Sequence, residues 1–299
     1  NVFNAITSND LANSQLSPYE VTVPKLLKQK GYVSSLVGKM HLSGSEVNPA
    51  TNPFGNNAYK ALGWDHFDGY LDGGPYSIDT TAGGVAPAGT YGCGFVPSKT
   101  DNAETGADSG ACYLADNSCS VISTDTTASP GRSCMEKGGI LDPNQSCQTS
   151  TPSHINFSKQ NGYYTGSWVI NQRDGSTQTQ LPSTPEARGY RTKLEANKTI
   201  AWIHQQKSPG KPWMASLRIS AVHDPLQNVP SDLLPANAEN TNGYNCTDLE
   251  QQRVLVKQML EAMDHEIGRV LVETGLASYN NQGTIDFNPE ANNTMVVVI

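Results

Sequence analysis

Apolar positions along the chain fall into three regimes. Val23, Leu26 and Leu27 recur at helical spacing, which predicts a helix opening at Ser17-Pro18 and ending at Gly31. A short, mostly apolar run over 32–37 then predicts a strand. From about residue 73 to 185 the periodicity disappears and Gly, Thr, Ser, Asn and Cys dominate, which reads as a long insertion of loops and short strands. Regular alternation resumes at 190–206, where Leu194, Ile200, Trp202 and Ile203 predict a helix. Pro212 precedes a strand at 213–219, and the longest helix spans about 249–274 with Leu255, Met259, Met263, Ile267 and Val270 in register. The apolar run 294–299 reads as a further buried strand. Helix and strand alternating in this order predict an α/β fold: a mostly parallel sheet sandwiched by helices, with a long disulfide-rich loop insertion at 73–185.

Composition narrows the class. The 299 residues suffice for a substantial core, and a formal net charge of -8 provides no broad electrostatic footprint for nucleic acid. Any anion must be captured by local groups. No apolar run reaches the roughly 18 residues of a membrane span, and no basic start precedes an apolar leader. Six cysteines (Cys93, Cys112, Cys119, Cys134, Cys147 and Cys246) contain no C-x-x-C pair, so disulfides are expected rather than zinc. Five lie in the insertion, so if all six pair, Cys246 must bond to it. Glycosylation-type triplets begin at Asn144, Asn156, Asn197, Asn245 and Asn292. Together these features predict a secreted or periplasmic protein.

Candidate chemistry gathers past the predicted strands. Lys39 and His41 follow the first and His223 follows the second, the edge at which open α/β sheets bind ligands. Cationic donors there favour an anion. In isolation, a loop lysine and a histidine bonded to a carbonyl would be the ordinary reading. The segments TVPKLLKQKGYVSSLVGKMHLSG, GWDHFDGYLDGG, KPWMASLRISAVHDPLQ, MLEAMDHEIGRVLVETGL and NNTMVVVI change that weighting. In this order they resemble the sulfatase family of the alkaline phosphatase superfamily, over about half of the chain; the cysteine-rich block matches nothing in that pattern.

The resemblance implies that 1–299 is part of a sulfatase-like catalytic α/β domain, hydrolysing a small-molecule or glycan sulfate ester by in-line attack of a formylglycine-type nucleophile. It implies that Lys39 binds the sulfuryl oxygens, that His41 hydrogen-bonds the nucleophile's hydroxyl, and that His223 serves the sulfate or leaving oxygen. Preorganised donors on oxygens that gain charge are what such a transfer needs. Imidazoles can also move protons near neutrality. A divalent cation, Ca²⁺ in most of the family, is implied as Lewis acid.

The chain departs from the family where it matters most. The Cys-x-Pro-x-Arg motif that yields formylglycine is absent; the nearest run, Cys93-Gly94-Phe95-Val96-Pro97-Ser98-Lys99, has its proline displaced and lysine for arginine. The metal-binding aspartates are also missing, so nucleophile and metal ligands are expected outside this chain, which reads as a trimmed or incompletely traced polypeptide. Two alternatives therefore stay open: a phosphoric ester or phosphonate hydrolase of the same superfamily, and a non-catalytic module that binds sulfated glycans. Asp65 and His66 are expected to pack a loop. Asp264 and His265 are helix neighbours that point about 100° apart, and His154 and His204 carry no signal.

Overall fold

A computed structural model of the chain describes residues 2–3, 15–42, 54–71, 74–94, 107–123, 129–206, 210–238, 246–291 and 293–299. In chain order these residues form β1 (Val2–Phe3), β2 (Gln15–Leu16), α1 (Val23–Lys28), β3 (Val33–Lys39), α2 (Ala58–Ala61), β4 (His66–Tyr70), β5 (Ser109–Tyr113) and β6 (Cys119–Ser123). They continue with α3 (Pro130–Glu136), β7 (Ile140–Pro143), β8 (Trp168–Asn171), β9 (Thr177–Gln180), α4 (Arg191–Gln206), β10 (Trp213–Arg218), α5 (Leu249–Glu273), β11 (Ala277–Tyr279) and β12 (Ile285–Phe287). Among the described residues no helix is long and apolar enough to cross a membrane.

Ser17-Pro18 opens a turn rather than a helix, with the Glu20 N–H donating to the Ser17 carbonyl at 3.1 Å. A helix entered there would hold Pro24 in its interior, where the ring meets the carbonyl four residues back. Starting at Val23 puts Pro24 in the first turn, where no N–H is required. Val23 and Leu26 remain 60% and 50% exposed, so the apolar spacing in α1 makes no buried face. The later helices follow their periodicity more closely. Asp248 caps α5 by accepting from the Glu250 and Gln251 N–H groups at 2.9 and 3.1 Å, a contact worth about 1 kcal/mol.

The main sheet has five strands in the order β10-β3-β4-β8-β9. β10 with β3 and β3 with β4 are parallel, whereas β4 with β8 and β8 with β9 are antiparallel. The expected mostly parallel sheet is therefore corrected to a mixed one. The antiparallel half comes from the block read as an insertion: β8 and β9 are joined by a short hairpin, and a connection that short reverses the chain. The composition boundary at 185 thus falls beyond two strands of the sheet.

Strand alternation assigns the two faces. Val33, Trp213 and Ala215 pack on Trp202 and Ile203 of α4. On the other face Leu36, Phe67 and Val169 pack with Ala58 and Tyr59 of α2, Leu62 and Trp64. The rest of 74–185 builds a second sheet, β6-β5-β7. Cys112–Cys134 ties it to α3, Cys119–Cys147 closes it locally, and Cys93–Cys246 ties the block to the segment before α5, the pairing that parity requires.

The run 294–299 forms no strand, contrary to expectation: among the described residues it pairs with no other strand, and Met295 and Val298 are 85% and 78% exposed. β-Branched residues favour a strand only where a ladder neighbour receives them. Asn144, Asn156 and Asn197 are exposed, Asn197 accepting a 2.7 Å hydrogen bond from Arg269. Asn245, Asn292 and residues 95–99 of the displaced cysteine-proline run lie outside the described residues.

Candidate functional site

The carboxyl ends of β10, β3 and β4 lie on one edge because these three strands are parallel, with Arg218 opposite Gly38 and Gly38 opposite Gly69. The strands cross closely there. A Cβ on Gly38 would run into the Arg218 carbonyl oxygen, and one on Gly69 into the Gly38 carbonyl oxygen. Gly38 also has φ 101°, a conformation that other residues resist. The glycine of the Gly-Lys-x-His-Leu segment is thus required by backbone geometry.

Lys39 closes β3 opposite Tyr70. The ladder continues past it: the Met40 N–H donates to the Tyr70 carbonyl and the His41 N–H to the Leu71 carbonyl, both at 3.0 Å. Met40 is buried in the apolar layer and helps line a cavity of about 140 Å³ with Leu16, Leu36, Leu62 and Trp64. Alternation sends Lys39 to the opposite face from that cavity. His41, with φ 51°, turns the chain out of the sheet, and Lys39 and His41 are both half-buried.

His223 follows β10 as His41 follows β3. Its N–H donates to the Ser220 carbonyl at 3.0 Å, and its Nδ1 lies 2.7 Å from the Asp224 carbonyl oxygen. The imidazole is about half exposed. The loop carrying it is gripped by the 161–164 segment. The Tyr163 hydroxyl bridges the Ser220 and His223 carbonyls at 2.9 and 2.6 Å, and the Tyr164 hydroxyl donates to the Asn228 carbonyl at 2.7 Å. Arg132 on α3 adds a bond to the Val229 carbonyl at 2.5 Å. The cysteine-rich block therefore holds the His223 loop by hydrogen bonds as well as through Cys93–Cys246.

Sequence reasoning missed the cluster behind this edge. Glu195 is completely buried, accepting from the Tyr70 hydroxyl, from the Ser220 hydroxyl at 2.5 Å and from the Ser220 N–H at 3.1 Å. Burial raises its pKa, offset in part by these hydrogen bonds and by Arg191. Arg191, 1% exposed, places its guanidinium 4.3 Å from the Tyr70 ring centroid. Glu195 shares its stripe of α4 with Thr192 and Thr199, all buried. Asp65 and His66 pack as expected, although His66 begins β4 rather than standing in a loop. Asp65 accepts from the Ser34 N–H at 3.1 Å and pairs with Lys28 at 2.9 Å. Asp264 and His265 are exposed, and His204 bonds to the Glu273 carbonyl.

The described residues do not fit the implied cation. Among them no group of three or more His, Cys, Asp or Glu side chains could hold a metal. The buried carboxylates are engaged elsewhere: Asp68 with Lys198, Asp79 with the Thr81 and Gly83 N–H groups, Asp142 with His154 and Glu266 with Arg269. All six cysteines are in disulfides, so none is available as a formylglycine precursor.

No family model matches the chain, and no curated protein matches it. Among solved structures it is similar to the crystal structure of Ps i-CgsB in complex with k-i-k-neocarrahexaose. The identity is 15% and the TM-score 0.38, covering 88% of this chain and 41% of that one. The crystal structure of Ps i-CgsB matches with 16% identity and a TM-score of 0.37, covering 84% and 36%. The chain spans about two fifths of the length of those chains.

Proposed function

We propose that this chain is the substrate-holding part of an extracytoplasmic sulfuric ester hydrolase, with Lys39, His41 and His223 as its anion-facing groups. The observation that carries the reading is the parallel, in-register pairing of β3 with β10, which brings residues far apart in sequence to the same sheet edge. In a sulfate ester, charge builds on the equatorial oxygens and on the leaving oxygen as the bond to sulfur breaks. The Lys39 ammonium meets the equatorial oxygens as a compact charge with three donors. His223 hydrogen-bonds the leaving oxygen, and His41 would hydrogen-bond an attacking group that the residues of this chain do not supply. The substrate is a small-molecule or glycan sulfate ester.

The resemblance to the sulfatase family motivates the sulfate reading, and the nucleophile that separates sulfate from phosphate chemistry is not among the residues of this chain. The full-length protein assayed with an aryl sulfate and the matching aryl phosphate decides between them. The sulfate should be turned over with the higher kcat/KM; the reverse preference would assign the site to phosphoric esters. Binding of both with turnover of neither would leave a recognition module for sulfated glycans.

A further inference from the structure

Beneath His223 lies buried polar machinery that the proposed chemistry does not itself use. Glu195 on α4 grips Ser220 by its N–H and its hydroxyl, and takes the Tyr70 hydroxyl at the end of β4. It thereby fixes the chain at the start of the loop. From the other side comes Tyr163, whose ring is completely buried and whose hydroxyl stands 2.9 Å from the Ser220 carbonyl and 2.6 Å from the His223 carbonyl. Tyr163 is itself held, because its N–H donates to Gln227 Oε1 at 2.6 Å and Gln227 Nε2 donates to Asn161 Oδ1 at 3.2 Å. Burial, with Tyr190 and Glu195 nearby, pushes the Tyr163 hydroxyl far above the usual phenol range, so it stays protonated and able to donate.

The contacts of the imidazole are local to Asp224, whose carboxylate lies 3.0 Å from Nδ1. Nδ1 is also engaged on the Asp224 backbone carbonyl, so the ring follows wherever the 223–224 backbone is placed, and Nε2 is the nitrogen left for a substrate. We propose that Tyr163 is a positioning residue for His223, its hydroxyl fixing the two carbonyls that set where the imidazole stands. This rests on the reading of His223 as a substrate-side group. The cysteine-rich block would then contribute to the reaction by holding a group it does not carry.

Tyr163→Phe in the full-length protein removes the hydroxyl and keeps the ring. Histidine ring NMR signals report placement without any substrate, the His223 signal being assigned by its loss in His223→Ala. The expected result is that Tyr163→Phe shifts or splits the His223 signal while those of His66 and His154 hold. An unmoved His223 signal would overturn the proposal. With a sulfate ester, kcat should fall about 10- to 100-fold at unchanged KM, the scale of a small misplacement. That loss should vanish when Tyr163→Phe is made in the His223→Ala protein. An equal loss in both backgrounds would show a purely structural role and overturn the proposal. If His223→Ala leaves turnover intact, it is the functional reading that fails, and the NMR result still decides the role of Tyr163.

Discussion

His66 shows how burial, rather than a reaction, can set the chemistry of a conspicuous side chain. It is 8% exposed, with its ring 6.3 Å from that of Trp202. Desolvation, opposed by hydrogen bonds to Gln172 and the Asn171 backbone, lowers its pKa from 6.5 to about 4. A depressed folded value means that its stabilising contribution is present above pH 6.5 and is lost as pH falls towards 4. Two residues on, Asp68 behaves oppositely. Burial against the incomplete compensation of Lys198 raises it to about 6, so its contribution is present below the ordinary carboxylate range and lost as pH rises through 6. Replacing His66 with Gln removes one of two opposed trends. Wild type should lose about 2 kcal/mol relative to His66→Gln between pH 7.5 and pH 5, read from urea midpoints; a difference that does not change with pH would mean His66 is protonated freely in the fold. The packing role of His66 was legible from its segment, as were the places of Lys39, His41 and His223 past apolar runs. Glu195 was not, because its partners Tyr70 and Ser220 stand on two other elements.

Strand β3 owes its course to one glycine. Gly38 combines φ 101° with contact against the Arg218 carbonyl, whereas Gly31, φ 83°, has open space around its missing Cβ. Gly31→Ala meets only backbone strain, about 1 kcal/mol, whereas Gly38→Ala must also push β10 away and should cost more than about 2 kcal/mol. Denaturant midpoints for the two variants compare them directly; equal costs would show that β3 and β10 can separate without penalty. The elements legible in the sequence were those with their own periodicity and boundaries: β10 after Pro212, α4, and α5 behind its Asp248 cap. β9 was invisible because its Thr-Gln-Thr-Gln side chains are mostly exposed, leaving the ladder with β8 to hold it. The run 294–299 failed in the opposite way, mostly apolar and yet unpaired among the described residues.

Across the molecule, two structural halves meet at the His223 loop. The parallel strands supply the edge, and the cysteine-rich block supplies the brace. Cys93–Cys246 joins them across a sequence separation of 153, a loop whose closure is worth up to about 5 kcal/mol in the chain-entropy view. The two shorter disulfides lie within that loop and reduce the figure. The parity of six cysteines made this tether legible; the tyrosine contacts that accompany it were not, because nothing in Gly-Tyr-Tyr-Thr announces which loop it will meet. As proposed, Lys39 and His223 act on a sulfate ester and do not hold the fold together. Steady-state hydrolysis of an aryl sulfate by the full-length protein and its Lys39→Ala and His223→Ala variants tests this, each with a thermal melt. Turnover should fall at least about 100-fold in both variants, with melting temperatures within a few degrees of wild type. Turnover unchanged in either variant would contradict it.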